Sequence, residues 1–365
     1  MAGKRGACQN ANAMVTTVLL AILPVGCGGT ATRLDEGAAS LVAPDDGARD
    51  PSDQGAPPPA EEPEEQSVPA DAYGARGTSV LMDPLTHVRF VALGDAGEGS
   101  PTQFAVADAI EQVCAVHGCD FALYLGDNFY DTGVNETNDI QFEEKFELPY
   151  ANLAFPFWVV LGNHDYGGGG SGYEFWKGNY YIEYSDVSDK FTFPDLFYTV
   201  DYGLVDLFGL DTNAVMWGFF DDQQAWLDAR LSESDAVWKI AFGHHPYLSN
   251  GPHGNAGEYE GYAPNPIWDG ANVKQFFDDS VCGKVDLYVC GHDHSMQWPV
   301  TTCGNTELLV SGAGSKTTSF EGDDETWFEK DEEGFVYVDI TETQFTATFY
   351  DISGNSRYSR TVTKN

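Results

Sequence analysis

Basic residues are scarce in this chain of 365 residues. It contains 18 Lys and Arg against 57 Asp and Glu, which gives a formal net charge of −39 at pH 7. A surface this acidic repels phosphate backbones and anionic lipids, which argues against nucleic acid and anionic membrane surfaces as partners. Long apolar runs are also lacking, because the stretch "AMVTTVLLAILPVGC" at residues 13–27 is too short to span a bilayer comfortably.

The N-terminus is typical of a secretion signal that covers residues 1–27. Lys4 and Arg5 precede a short apolar core that ends in small residues. Gly26-Cys27 resembles the lipid-attachment box of bacterial lipoproteins, whereas Pro24 fits that box poorly. Acylation of Cys27 and ordinary cleavage therefore stay open as alternatives. Both predict an exported protein, periplasmic or extracellular, and acylation would anchor it to the cell envelope.

The composition divides the rest of the chain into two parts. Residues 28–75 are rich in Asp, Glu, Pro, Ala and Gly and lack periodic apolar positions, which predicts a disordered acidic tether. Residues 76–365 show no sign of a second independent domain. We therefore predict one folded domain over these residues, and we expect it to be a monomer.

Five cysteines lie in this domain, and an exported protein can keep disulfides. An odd number leaves at least one thiol free. We expect Cys114 to pair with Cys119 and Cys282 with Cys303, with Cys290 buried at the end of a strand. The spacing alone does not fix this connectivity.

From residue 85 onward, apolar β-rich runs alternate with amphipathic stretches. Strands are predicted at residues 87–93, 120–125, 155–161, 237–242 and 284–289, and helices around "TQFAVADAIEQVCAVHG", "DDQQAWLDARL" and "ANVKQFFDDSV". The region from "ELLVSG" through "QFTATFYD" is predicted to be an antiparallel run. The layout is that of an α/β protein with a strand-rich C-terminal half.

Five of the predicted strands run directly into glycine and metal-competent side chains. The loops read "GDAG", "GDNFY", "GNHD", "GHHP" and "CGHDH", and six of the eight histidines lie in or just after them. Taken singly, each of these loops is better explained as a turn, a helix cap or a strand end than as a ligand site. Because ligand sites in α/β sheets gather beyond the carboxyl ends of strands, five such loops in succession predict one shared crevice.

The side chains of these loops suggest a metal centre. They provide carboxylate, amide and imidazole donors, which suit hard or borderline transition ions and not thiolate-loving metals. The candidates are Asp95, Asp127, Asn163, His244, His292 and His294. Six donors are too many for one tetrahedral site but enough for two metals ~3.5–4 Å apart that share a carboxylate, an arrangement used for phosphoryl displacement.

The series of loops resembles the metallophosphoesterase superfamily. Its commoner members have Asp-x-His in the first motif, where this chain has Gly97, so one ligand is missing. Tyr130, three residues after Asp127, is the mark of the purple acid phosphatases, and "LGDNFYDTGV" and "CGHDHSMQ" resemble their small tartrate-resistant branch. The resemblance covers about residues 86–350. It implies a four-layer α/β/β/α sandwich of two mixed β-sheets flanked by helices.

The resemblance also implies roles for single residues. A ferric ion would be held by Asp95, Asp127, Tyr130 and His294, and a divalent ion (Fe, Zn or Mn) by Asp127, Asn163, His244 and His292. His164 would bind the phosphate and protonate the leaving group, with His253 as a second substrate-facing histidine. Asp165 either orients His164 or caps a local turn. His245 stands where the tartrate-resistant branch usually has tyrosine, and it either contacts substrate or packs beside the site.

The resemblance implies an exported acid phosphatase with two metals. It would hydrolyse small phosphomonoesters by attack of a metal-bound hydroxide on phosphorus. A phosphodiesterase or nucleotide hydrolase with the same metals is the alternative within enzymes, since the metal motifs do not set the substrate. A non-catalytic metal-binding surface protein is a further alternative, and the complete set of ligands speaks against it.

Overall fold

The computed structural model describes residues 77–258 and 268–364. The predicted signal (1–27) and tether (28–75) lie outside the described residues. The strands are β1 Thr78–Leu85, β2 Val88–Leu93, β3 Phe121–Leu125, β4 Phe157–Val160, β5 Phe191–Thr192, β6 Tyr198–Gly203, β7 Val205–Gly209, β8 Trp238–Phe242, β9 Leu287–Cys290, β10 Met296–Pro299, β11 Glu307–Ser311, β12 Thr326–Lys330, β13 Gly334–Ile340, β14 Gln344–Asp351 and β15 Ser356–Thr363. The helices are α1 Pro101–His117, α2 Gly178–Ser185, α3 Thr212–Met216, α4 Asp221–Glu233 and α5 Gly270–Ser280.

The strands form two mixed sheets. The larger sheet has the order β1-β6-β7-β8-β9-β11-β10-β12, and the smaller one has the order β15-β14-β13-β2-β3-β4-β5. Strands β2 to β5 are parallel, whereas β13, β14 and β15 pair antiparallel. The predicted α/β sandwich of two mixed sheets is confirmed, and so are the strands predicted before the five loops.

The predicted antiparallel tail is only partly right. Strand β11 pairs in parallel with β9, because the chain reverses into β10 and then returns to insert β11 between those two strands. A strand that comes back by two reversals has the direction of the first strand. Strands β11 and β12 do pair antiparallel with β10, and antiparallel pairing between consecutive strands of the tail begins with β13 and β14.

Consecutive side chains along the strands of the larger sheet belong to two different hydrophobic cores. Leu207 and Ile240 belong to the main core, which also contains the strands of the smaller sheet. Phe208 and Ala241, one residue later, belong to a second core with residues of α3, α4 and α5. Because successive side chains of a strand point to opposite faces, this sheet is covered by the other sheet on one side and by helices on the other.

Helix α1 covers the smaller sheet. Ser100 caps its N-terminus by accepting a hydrogen bond from the N–H of Gln103, and Pro101 occupies the first helical turn. The helix ends at Gly118, whose φ of 80° favours glycine. It packs against β13 and β14. Within the described residues, none of the helices combines the length and the apolar character needed to cross a membrane.

The cysteine pattern agrees with the expectation. Cys114 is bonded to Cys119 and Cys282 to Cys303, and Cys290 is a buried free thiol at the end of β9. The first disulfide closes the C-terminal end of α1. The second joins the end of α5 to the segment before β11.

The five loops meet where the carboxyl ends of β2, β3, β4, β8 and β9 come together. Backbone hydrogen bonds connect them directly: the N–H of Asp95 donates to the carbonyl of Gly126 at 3.0 Å, and that of Gly291 to the carbonyl of His244 at 3.1 Å. The fold thus fixes the relative positions of the loops before any side chain is considered.

Candidate metal centre

Three of the predicted ligands have an unusual backbone conformation. The φ angles are 56° for Asp95, 51° for Asp127 and 72° for His292. Non-glycine residues rarely adopt positive φ, and such residues cluster at functional sites. Each of the three follows a glycine directly after its strand, so the chain turns sharply and aims the side chain back across the strand ends.

The glycines before the ligands leave room for the opposing side chains. A Cβ added to Gly291 would lie 2.5 Å from Oδ2 of Asp95, and one added to Gly126 would lie 2.6 Å from Nδ1 of His244. No side chain fits at such distances without a shift of its neighbour. The repeated order of strand, glycine and ligand in the sequence is therefore a packing requirement of the site.

Four side chains form what we call the first ligand group: Asp95, Asp127, Tyr130 and His294. Oη of Tyr130 lies 2.9 Å from Oδ1 of Asp95, 2.9 Å from Oδ2 of Asp127 and 3.2 Å from Nε2 of His294. Nε2 of His294 is 3.5 Å from Oδ1 of Asp95. The structure thus brings together the four residues expected to hold the ferric ion.

The second ligand group consists of Asp127, Asn163, His244 and His292. Nε2 of His244 lies 3.0 Å from Oδ1 of Asn163, 3.1 Å from Nδ1 of His292 and 3.5 Å from Oδ1 of Asp127. Asp127 belongs to both groups, with Oδ2 facing the first and Oδ1 facing the second. Asp127 thus lies between the two groups, in the position that the predicted sharing of its carboxylate by two metals would require.

The donor spacing fits metal ions. Nitrogen and oxygen ligands about 2.1 Å from one ion and at right angles to each other lie about 3 Å apart, close to the separations in both groups. Ligand atoms of Asp95, Asp127 and His244 all lie within 4.8 Å of one another, and all three residues are buried. Nδ1 of His244 is 2.9 Å from the carbonyl of Leu125, which can only accept, so Nδ1 donates there and Nε2 is the nitrogen that would bind a metal.

The charges of the cluster also call for a cation. Burial raises the pKa of Asp127, but the charge of His244 and a hydrogen bond from it prevail, so the pKa lies well below its usual value. Burial lowers the pKa of His244, whereas the charge of Asp127 and the hydrogen bond to it raise it to about 10. Burial and the charges of Asp127 and Asp95 raise the pKa of Tyr130 well above its usual value. The two buried carboxylates therefore stay ionised because the neighbouring His244 is protonated. A metal ion bound between them would take the place of that proton.

Asp165 does not orient His164, and the alternative interpretation, a local cap, is the better one. Nδ1 of His164 is bonded at 2.7 Å to the backbone carbonyl of Asp131. The carboxylate of Asp165 is completely buried and accepts hydrogen bonds from the backbone N–H groups of Asn128 and Gly162, at 3.0 and 2.9 Å. It faces away from His164 because these N–H groups, left unpaired by the turns after β3 and β4, surround it.

The contacts of Asp165 extend further. It also accepts from the backbone N–H of Phe129 at 3.1 Å, from Nδ2 of Asn128 at 2.9 Å and from the hydroxyl of Tyr181 at 3.1 Å. Burial and the charge of Asp127 raise the pKa of Asp165 to about 7, against the lowering effect of its backbone donors. Asp165 therefore ties the loop of Asp127 and Tyr130 to the loop of Asn163.

The remaining predicted histidines lie beside the second ligand group. The ring of His253 is 4.0 Å from that of His292, measured between ring centres. The ring of His245 is fully buried 4.5 Å from that of His292, with Nδ1 2.9 Å from Oγ1 of Thr212. His253 is thus at the site as expected, and burial favours the packing interpretation of His245.

Sequence reasoning missed Asp293, which lies between the two histidines of "CGHDH". Asp293 is fully buried, and its Oδ1 accepts the backbone N–H of His253 at 3.1 Å. The side chains of His292 and His294 lie in the two ligand groups, whereas the residue between them contacts the backbone of His253. The position of Asp293 between two predicted ligands was the available signal for a supporting residue.

The structure also explains the missing histidine of the first motif. A Cβ on Gly97 would collide with the backbone of Asn128, and the carbonyl of Gly97 accepts the N–H of Tyr130 at 3.0 Å. The two loops approach too closely for a histidine at position 97. The same close approach brings the hydroxyl of Tyr130 to Asp95 and Asp127.

Comparisons with known proteins agree with this geometry. The family model of the calcineurin-like phosphoesterases matches residues 88–296. Purple acid phosphatase 7 of Arabidopsis thaliana is 31% identical over 307 residues, which cover 75% of this chain and 86% of that protein. Tartrate-resistant acid phosphatase type 5 of Sus scrofa is 30% identical over 330 residues, covering 79% and 90%. Among solved structures, purple acid phosphatase PPD1 from yellow lupin (Lupinus luteus) seeds is similar with a TM-score of 0.59 and 18% identity, over 76% of this chain and 54% of that one, a likeness of fold alone.

Proposed function

Because the chain belongs to the calcineurin-like phosphoesterases and, among them, to the purple acid phosphatases, we propose that it hydrolyses small phosphomonoesters with a ferric and a divalent metal ion. The observation that carries this proposal is the division of the ligands into two groups that share Asp127, one carboxylate oxygen for each group. A phenol lies in only one of the groups. Two chemically different metal sites follow from this asymmetry.

The ligand groups fit the proposed ions. Carboxylates and a phenol in the first group suit a hard ferric ion, and the imidazoles and amide of the second suit Zn, Mn or ferrous iron. Such a pair supplies Lewis acidity that activates water and stabilises the charge that develops at phosphorus. The protein holds the shared carboxylate of Asp127 by the backbone N–H of His164, at 2.9 Å.

His164 is arranged to move a proton. Its Nδ1 donates to the carbonyl of Asp131 at 2.7 Å, so the other ring nitrogen, Nε2, exchanges protons with substrate. In the protonated ring, Nε2–H donates to the departing alkoxide. The side chain is partly exposed, which lets a substrate reach it. The ring of His253, on the side of His292, is the second donor that we assign to the phosphate.

We also infer that the protein acts outside the cytoplasm as a monomer without nucleic-acid partners. The two disulfides support export, because such bonds persist in oxidising compartments. The signal over residues 1–27 and the question of Cys27 acylation belong to the same proposal. Mass spectrometry of the mature N-terminus would distinguish an acylated Cys27 from an ordinary cleavage product.

The test of the proposed function is the visible spectrum of the purified soluble chain from about residue 75. We expect a phenolate-to-ferric charge-transfer band that is absent in Tyr130→Phe, together with hydrolysis of an aryl phosphomonoester at acid pH by the parent. Aryl phosphodiester hydrolysis is measured alongside.

Other outcomes would change the assignment in defined ways. A colourless, active parent would mean another metal pair in the same ligand groups. Faster diester than monoester hydrolysis would favour the phosphodiesterase alternative. A parent that is colourless after iron loading and inactive on both esters would reject the enzyme proposal in favour of a binding role.

We expect Asp293 to affect kcat because it holds His253 in position. In Asp293→Ala the N–H of His253 loses its acceptor, so we expect kcat to fall by about 10-fold or more, the range seen when supporting residues of metal sites are removed. His253→Ala should produce a similar loss, and the double variant should be no worse than the worse single one. Steady-state kinetics with metal analysis checks this, and additive losses would contradict the assigned route.

A further inference from the structure

A lysine lies directly on the phenol of the first ligand group. Nζ of Lys316 is 3.2 Å from the centre of the Tyr130 ring and 2.7 Å from Oε1 of Glu98. The Lys316 and Glu98 side chains are 32% and 33% exposed. A cation this close to a ring face is attracted by the negative face of the π system.

The segment that carries Lys316 is fastened to the same ligand group. Oγ of Ser315 donates to the backbone carbonyl of Asp95 at 2.6 Å. Two residues beyond Lys316, the N–H of Thr318 donates to the carbonyl of His294 at 3.0 Å. Lys316 therefore lies between two anchors, each attached to a residue of the first ligand group.

Glu98 holds the ammonium from the other side. It follows Gly97, whose carbonyl accepts the N–H of Tyr130. An exposed ion pair alone contributes little stability. The pair is different here because one partner is bound to the ring and the other belongs to the loop of Asp95, which accepts the backbone N–H of Tyr130.

We propose that Lys316 is a positioning residue for Tyr130, which holds the phenol ring against the ligand group and withdraws electron density from it. The inference rests on the proposed ferric site, toward which the phenol oxygen is directed. Because the ammonium lies directly on the ring, it lowers the energy of the ring electrons more than it lowers the energy of the orbitals of a metal ion farther away. The charge-transfer band of the parent should therefore lie at shorter wavelength than the band without Lys316.

The first experiment compares visible spectra of the iron-loaded parent with Lys316→Gln and Lys316→Arg. We expect the band of Lys316→Gln to move to longer wavelength by on the order of ten nanometres. In the visible range, a wavelength shift of that size corresponds to the energy of an ordinary cation–π interaction. Lys316→Arg keeps the charge and should restore the parent band. The midpoint potential of the iron should fall in Lys316→Gln, because loss of a nearby positive charge favours the oxidised ion.

Lys145 provides a matched control. Its Nζ donates to the backbone carbonyl of Tyr130 and to Oε1 of Gln141, so it touches the same residue without contacting the ring. Lys145→Gln removes the same charge and should shift the band less than Lys316→Gln. Equal shifts in the two variants would mean a general charge effect and would overturn the proposal.

A second experiment reads the contact without iron. The metal-free protein carries 3-fluorotyrosine at position 130, and its ¹⁹F chemical shift is compared between the parent background, Lys316→Gln and Lys145→Gln. We expect a clear change only with Lys316→Gln. An unchanged fluorine signal overturns the proposal whatever the colour of the iron-loaded protein.

The two experiments separate the proposals. A purple parent whose band does not move in Lys316→Gln refutes the role of Lys316 and leaves the ferric site intact. A colourless parent refutes the ferric site and with it the electronic effect, while the fluorine signal still decides whether Lys316 holds the ring.

Discussion

Replacing Asp127 with Asn is expected to lower kcat/KM for phosphomonoesters by on the order of 10³-fold or more, since even residues that merely support a metal ligand contribute 10–100-fold. Oδ2 of Asp127 faces Tyr130, and Oδ1 faces His244. An amide has one oxygen and one NH₂ group, so it cannot serve both groups. We therefore also expect at least one metal equivalent to be lost, as measured by elemental analysis of the purified variant.

Asp131 is the matched control for this substitution. It follows Tyr130, its side chain is exposed, and it contacts His164 only through its backbone carbonyl. Asp131→Asn makes the same change of charge beside the site but keeps that carbonyl. It should retain nearly full activity and both metals. An Asp127→Asn protein with parental metal content and activity would refute the shared-carboxylate geometry.

The parts of the site that could be predicted from the sequence are those that local rules determine. A strand followed by glycine and a ligand can be recognised five times without knowledge of the sheet order. The glycine is needed because the loops meet closely, as the packing of Gly291 on Asp95 illustrates. Both disulfides agree with the expected pairing, although only the one between Cys114 and Cys119 had a local reason, the closing of a helix end.

The parts that could not be predicted depend on contacts between distant segments. Strand β11 is parallel to β9 because β10 reverses the chain on the far side, which no local pattern reveals. The short strands β5 and β10 were not identified either, and β5, with two residues, is too short to show periodicity. Fold class therefore follows from the sequence more readily than strand order does.

The role of Asp165 shows the same limit inside the site. Its neighbour in sequence is His164, and proximity along the chain suggested a contact between their side chains. The acceptor of His164 is instead the carbonyl of Asp131, thirty-three residues earlier. The donors that surround Asp165 come from three separate segments, at Asn128, Gly162 and Tyr181. Sequence adjacency therefore could not decide between the orienting role and the local cap.

The largest expected effect on stability is that of Asp165→Ala. The substitution leaves the backbone N–H groups of Asn128, Phe129 and Gly162 buried without their acceptor. A buried donor left without its acceptor typically costs about 1–3 kcal/mol, so we expect the loss of three acceptor contacts to lower the free energy of unfolding by about 3–5 kcal/mol. Urea unfolding followed by circular dichroism measures it.

Asp195 offers a control of the same residue type. It is also buried. Within the described residues, its carboxylate accepts two hydrogen bonds, one from the hydroxyl of Thr78 and one from the N–H of Leu196. Asp195→Ala should cost about 1–2 kcal/mol, since fewer donors lose their partner. A residue that oriented His164 would instead lower kcat and leave the unfolding free energy unchanged. Equal stability of Asp165→Ala and the parent, with kcat reduced, would therefore restore the orienting role and contradict the clamp between the two loops.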